Sequence, residues 1–191
     1  YAREGKLTKL IRAGIDNLNG TPSIVFGLFG LSFLVLYLKL GVSMLAGQLT
    51  LGFMILPTII RTTEEAVKTV PQPIREGSLA TGATKWQTIR KVVLPNSAPG
   101  IITGVVLGMG RAAGETAPIM FTAVVFSTRF LPETVLQPVM ALPYHLFALA
   151  TSVPGARTNA YGTALVLLLL VLPMYAVSTL LRMKYGKKNR W

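Results

Sequence analysis

Two ionisable residues stand in apolar company in this sequence. Arg111 and Glu115 interrupt two otherwise uncharged stretches, Ser97–Gly110 before them and Thr116–Thr128 after. Residues four apart are neighbours on a helix surface. A charged side chain at the centre of a bilayer costs at least about 2.5–3.5 kcal/mol on insertion scales, so neither residue is expected to face lipid. Two roles meet that constraint. In one, the two charges neutralise each other and pin neighbouring helices. In the other, Arg111 lines a path and offers fixed positive charge to an oxyanion, with Glu115 orienting it; the planar guanidinium donates the two parallel hydrogen bonds that phosphate-like groups accept. The residues alone leave both roles open.

Little else in the chain suggests chemistry of its own. His145 is the single histidine and there is no cysteine, so no metal cluster, disulfide framework or thiolate is expected. Tyr144 and His145 read as structural or interfacial. No GxxxxGK[ST] loop is present to cradle a nucleotide. The chain is expected to hydrolyse nothing itself and to need no cofactor.

The elements that must position Arg111 are long and apolar. Hydrophobic residues make up 51% of the 191 and charged residues 14%, against about 25% charged in a soluble domain; the mean hydropathy is +0.55. Ser23–Leu38 is uncharged, preceded by the helix-starting Thr21-Pro22 and extendable to Leu40 with Lys39 at its end. Ser43–Ile60 is uncharged for 18 residues and Asn159–Leu181 for 23. The halves around Arg111 and Glu115 are each too short for a hydrocarbon core of about 30 Å, and together are long enough. One helix with the pair near its middle is therefore expected; the alternative is two half-helices that dip in and return. If that helix is unbroken to Pro118, then Gly100, Gly104, Gly108, Arg111, Glu115 and Pro118 share an arc of roughly 80°, bordered by Leu107. Such a glycine stripe permits close helix approach. The segment Val135–Ala150, broken by Pro138 and Pro143, reads as a short interfacial or re-entrant element.

The expected fold is thus all-α, a polytopic transmembrane domain of four spans covering 1–191 without internal repeat. The formal charge of +12 is explained by topology before nucleic acid. Arg3, Lys6, Lys9 and Arg12 precede the first span; Arg61, Lys68, Arg75, Lys85, Arg90 and Lys91 lie between the second and third; Arg182, Lys184, Lys187, Lys188 and Arg190 follow the fourth. That places 15 of 19 basic residues on one side, with Lys39, Arg129 and Arg157 opposite, and predicts both ends and the middle loop to be cytoplasmic. The chain opens at Tyr1 on a polar segment without signal-peptide features, which suggests a fragment lacking something upstream.

The middle loop, 62–96, reads as helix, stop, helix. Pro71 and Pro73 favour a start, Gly82 a turn with positive φ, and Thr84 a cap. Ile89, Val92 and Val93 mark an apolar side, with Lys85, Arg90 and Lys91 elsewhere. Two short helices here would make a compact plug for another protein to hold.

Here the sequence resembles the permeases of bacterial ABC importers, whose cytoplasmic loop has the pattern E-A-A, three residues, G, nine residues, I-x-L-P. Glu76 is followed at the matching distances by Gly82, Val92, Leu94 and Pro95. Gly77-Ser78 replaces Ala-Ala and Val92 replaces Ile; the Gly weakens the helix by up to about 1 kcal/mol relative to Ala. The earlier Glu64-Glu65-Ala66 has no Gly at the right distance. The resemblance implies a MetI-like fold and a coupling helix seated in an ATPase subunit, with Glu76, Gly77, Ser78 and Gly82 as contact residues.

Gly110-Arg111-Ala112-Ala113-Gly114-Glu115-Thr116-Ala117-Pro118 resembles the signature of phosphate ABC importer permeases, in its A-type form. Thr62-Thr63-Glu64-Glu65-Ala66 and Gly82-Ala83-Thr84-Lys85-Trp86-Gln87-Thr88-Ile89 are similar to the same subunit, so the resemblance runs over nearly the whole chain. Such permeases usually have six spans, so two N-terminal ones would be absent here. The resemblance implies that Arg111 and Glu115 serve the phosphate path. It also implies a bacterial inner-membrane location, a sister permease of C type, two copies of an ATPase, an external phosphate-binding protein, and inorganic phosphate as substrate. A permease for another oxyanion, molybdate or sulfate, is the close alternative: the residue chemistry does not separate these substrates, and only the signature does. A gradient-driven anion carrier or channel shares the intramembrane Arg but has no use for a coupling loop.

Overall fold

The computed structural model describes residues 5–128 and 130–188; Arg3, Arg129 and Arg190 of the charge tally lie outside the described residues. Those described are mostly helical, without a named strand; one isolated parallel bridge joins Val124 and Val139. Helix α1 is Lys6–Asn19, α2 is Ser23–Gly30 running on as a π-helical stretch over Leu31–Tyr37, and α3 is Met44–Lys68. After α4 (Gln72–Ala80), α5 (Lys85–Thr88) passes through π-helical Ile89–Val93 into α6 (Leu94–Gly114). Then come α7 (Ala117–Thr122), α8 (Leu142–Thr151) and α9 (Arg157–Lys188).

Three helical stretches are each long and apolar enough to cross a membrane: Met44–Lys68, Lys85–Gly114 and Arg157–Val177. The first expected span, beginning at Ser23, is eight residues of α-helix followed by seven of π-helix. It reaches the span criterion only when counted with α1, from which it is bent by 102°.

The sequence expectation of one helix from Ser97 to Thr128 is corrected at both ends. At its far end α6 stops at Gly114, because Glu115 is extended at φ −76°, ψ 134°. Pro118 lies in the first turn of the new helix α7, where a missing N–H costs nothing. The stripe of six residues on one helix face therefore ends at Arg111. At its near end the helix does not begin at the membrane. The second short helix of the middle loop is continuous with the span, and Pro95 sits within the continuous rod. A proline lacks an N–H and crowds the carbonyl one α-turn back; wider π-turns directly upstream relieve that conflict.

The middle loop otherwise folds as its residues dictate. Pro71 caps α4 and Pro73 lies in its first turn. Gly82 has φ +85°. Thr84 and Gln87 form a reciprocal capping box, Gln87 N–H donating to Thr84 Oγ1 at 3.2 Å and Thr84 N–H to Gln87 Oε1 at 2.8 Å.

Glycines set how close the long helices come. A Cβ on Gly100 would lie 2.6 Å from the Ala66 Cβ, Thr62 occupies the space beside Gly104, and a Cβ on Gly108 would lie 3.3 Å from Ile59. These contacts zip α3 to α6. A Cβ on Gly110 would lie 2.9 Å from the Tyr175 ring of α9, and Gly27, Gly30 and Gly47 receive α7 between α2 and α3. Small hydroxyl residues in these seams are self-satisfied: Thr50, Thr62, Thr103, Thr122 and Ser97 each donate to the carbonyl four residues back. Their polar groups therefore cost little in apolar surroundings. The apolar window of α9 is only 6% buried, which leaves its side chains for lipid or neighbouring chains.

At the Ser43 end, Ser43 caps α3, with Ala46 N–H donating to its Oγ at 3.3 Å. The connection between α7 and α8 folds over this end, Met44 and Leu45 N–H donating to the carbonyls of Gln137 and Val135. Val135–Ala150 is no span: its helix α8 is ten residues. Tyr144 packs on Ile119, Ala123 and Val124, and His145 Nδ1 meets Thr163 Oγ1 of α9 at 3.3 Å. Both side chains thus make structural contacts. At the opposite end α1 docks on α3 through polar contacts. Arg12 pairs with Glu64 at 2.9 Å, Asp16 with Arg61 at 2.6 Å, and Thr58 Oγ1 donates to Asn19 Oδ1 at 2.9 Å.

Candidate functional site

Arg111 occupies the last turn of α6, where unpaired backbone carbonyls favour a cation. Glu115 lies just beyond the helix end, and its N–H donates to the Ala112 carbonyl at 3.3 Å. Although the helix has ended between them, Arg111 Nε and Glu115 Oε1 are 3.4 Å apart. That is a long contact, which leaves the other guanidinium donors available for a further acceptor. The Arg111 side chain is 40% exposed and that of Glu115 18%. The guanidinium is thus the more open partner and the carboxylate the more enclosed.

Glu115 borders a cleft of about 230 Å³ whose wall includes Met44, Gln48, Leu51, Ala112, Ala113 and Ile119. Arg111 is not part of that wall. A carboxylate in an apolar cleft repels an anion, so the chemistry open to an oxyanion lies on the guanidinium side. What the arrangement can do there is bind a tetrahedral anion by charge and hydrogen bonds, without covalent change. Among the described residues no group of His, Asp and Glu could hold a metal ion.

The other expected residues lie at the far end of the rod. On α4, Glu76 and Gly77 are exposed, and Gln72 Nε2 donates to Glu76 Oε1 at 3.1 Å. A Cβ on Gly77 would meet nothing within 4 Å, and Gly82 is likewise open. Ser78 differs from these three. It is half-buried, and its hydroxyl lies 3.0 Å from that of Thr88 on α5. Sequence reasoning passed over Leu79 and Trp86, which are 42% and 66% exposed beside Glu76 and Gly82 in the chain. The signal was a tryptophan in a polar loop.

The sequence profile described as "Binding-protein-dependent transport system inner membrane component" matches residues 1–187. The phosphate transport system permease protein PstA of Yersinia pestis is 37% identical over 99% of this chain and 62% of its own length. The PstA of Xylella fastidiosa strain 9a5c is 35% identical over 90% of this chain and 60% of its own. The probable ABC transporter permease protein YqgI of Bacillus subtilis is 36% identical over 90% and 63%. The chain therefore spans about three fifths of the length of these curated relatives. A solved chain of the MetNI methionine ABC transporter superposes with a TM-score of 0.71 over 94% of this chain and 76% of that one. At 18% identity that likeness speaks to the fold.

Proposed function

This chain belongs to the family of binding-protein-dependent transport system inner membrane components, and on that premise we propose that it is the permease subunit of an ATP-driven phosphate importer. The observation that carries the substrate is the 35–37% identity to proteins named phosphate permeases, over nine tenths of the chain or more. The Arg111 guanidinium, half-open beside its carboxylate partner, fits that reading, because a phosphate passing the end of α6 meets fixed charge and free donors. Glu115 holds the guanidinium in place and keeps its own charge turned to the cleft. Nothing on the chain splits ATP; that belongs to a partner ATPase pair, which holds α4 and the turn after it by the exposed Glu76, Gly77 and Gly82, with Trp86 beside them. Ser78 of the expected contact set is turned to Thr88 and shapes the loop from within. A sister permease of C type completes the path and an external phosphate-binding protein delivers the substrate. The basic ends of the rod and of α9 then lie in the cytoplasm.

The test is phosphate uptake by the full-length complex in membrane vesicles. With Arg111→Gln, uptake falls at least about 100-fold, as for loss of a charge-assisted contact worth about 2.7–4 kcal/mol, while ATP hydrolysis and co-purification persist. Parental uptake by that variant would make the pair a structural strut. A parent complex that moves molybdate or sulfate in preference would reassign the substrate.

A further inference from the structure

We infer that α4 is a crossbar bolted at both ends, by Arg75 to α3 and by Ser78 and Thr88 to the α5–α6 rod, so that Arg75 and Thr88 carry its displacement to Arg111. This rests on the reading that an ATPase grips α4.

The first bolt is a cation at a helix end. Arg75 Nη2 donates to the Val67 carbonyl at 2.5 Å and Nε to the Val70 carbonyl at 3.2 Å. These carbonyls lie in the last turn of α3 and in the connection leaving it, where the regular pairing runs out. A charged donor spanning both fixes the angle between α3 and α4. Val70 itself is 4% exposed, so the corner is packed as well as bonded. The second bolt is the Ser78–Thr88 hydroxyl contact at 3.0 Å, with Thr88 2% exposed. Leaving either hydroxyl unpaired there is unfavourable.

Both bolts are on the same side of α4. On a helix of 3.6 residues per turn, Arg75 and Ser78 lie about 60° apart, and Glu76 and Gly77 each lie about 130° from their mid-line. The exposed face is thus free for a partner while the other face is tied to the membrane helices. Beyond the bolts, α3 and α6 are zipped at Gly100, Gly104 and Gly108. Arg111 lies one turn past the last of these, about 35 Å along the rod from Thr88. A tilt of α4 therefore moves α3 and α6 as a pair and arrives at the guanidinium.

The experiment measures phosphate taken up per ATP hydrolysed in the complete complex, with its ATPase and binding protein, reconstituted in liposomes. Arg75→Gln and Thr88→Val are expected to co-purify with the ATPase and still hydrolyse ATP, while uptake per ATP falls about five-fold or more. Thr88→Ser, which keeps the hydroxyl, restores the ratio, and Arg75→Lys restores it in part through a single donor. A merely structural role would reduce yield, hydrolysis and uptake together and leave the ratio unchanged, and that result in Thr88→Val overturns the inference. So does loss of ATPase co-purification in Arg75→Lys, which would put Arg75 on the gripped face. Failure of the underlying reading is separate, since the parent complex itself would then show no ATP-driven uptake.

Discussion

At Arg111 the free carbonyls at the end of α6 and the Glu115 carboxylate act together, and a guanidinium with donors to spare is the result. That the two residues would meet was legible from their spacing of four. How they meet was not. The spacing implied a continuous helix, whereas the chain turns at Glu115 and the side chains close the gap themselves. Glycine spacing was informative in the same partial way. Gly100, Gly104 and Gly108 do share a close-packed face, but what each faces depends on α3, which no local pattern reports. This separates two substitutions that look alike in sequence. Gly104→Ala must push Thr62 aside and is expected to destabilise by about 1–3 kcal/mol. Gly52→Ala, with nothing within 4 Å, is expected to be neutral or to stabilise α3 by about 0.5–1 kcal/mol. Detergent-resistant thermal unfolding of the two variants beside the parent measures the contrast.

At the scale of elements, the middle loop was the most legible part, since proline, glycine and a capping threonine act locally. The break after Gly114 was missed for a physical reason. A span needs about 20 residues, and Ser97–Thr128 supplied them on paper, but Lys85–Gly114 meets that length from the other side. Helix α1 teaches the reverse lesson. Its apolar residues Leu7, Leu10 and Ile11 are all more than half exposed and none of the helix is buried. Its place is set by polar contacts instead. Glu64 alone meets Arg12 at 2.9 Å, Lys68 at 2.8 Å and Arg61 at 3.9 Å. Partly exposed ion pairs are each worth about 0–1 kcal/mol, so this docking is shallow. Glu64→Ala is expected to raise hydrogen exchange in α1 severalfold while leaving α3 and α6 protected, as read by mass spectrometry of the complex in lipid discs. Equal exchange in both proteins would show that contacts other than the ion pairs hold α1.

Across the whole molecule, one rod runs from Lys85 to Gly114 and connects the loop that a partner can reach to the charge that an anion can reach. The charge deficit pointed to a membrane and the long uncharged stretches to helices that cross it. Joining the loop to the span was beyond a residue-by-residue reading, because Leu94-Pro95 looks like a terminus unless the wide turns before it are known. Those turns hold slack. A π-turn carries one residue more than the α-turn it replaces, so Ile89–Val93 stores a spare residue inside a mechanical link. Deleting exposed Lys91 is expected to draw the rod into plain α-helix with its two halves still facing the same way, and the complex should assemble. Deleting Ile102 instead rotates everything beyond it by about 100°, which unseats Gly104 from Thr62 and turns Arg111 off its side of the bundle; co-purification with partner subunits should fail. Within the rod, Ile89–Val93 is thus the stretch that can be shortened without loss of phase, and the link keeps that tolerance beside its loop end, about 30 Å from Arg111.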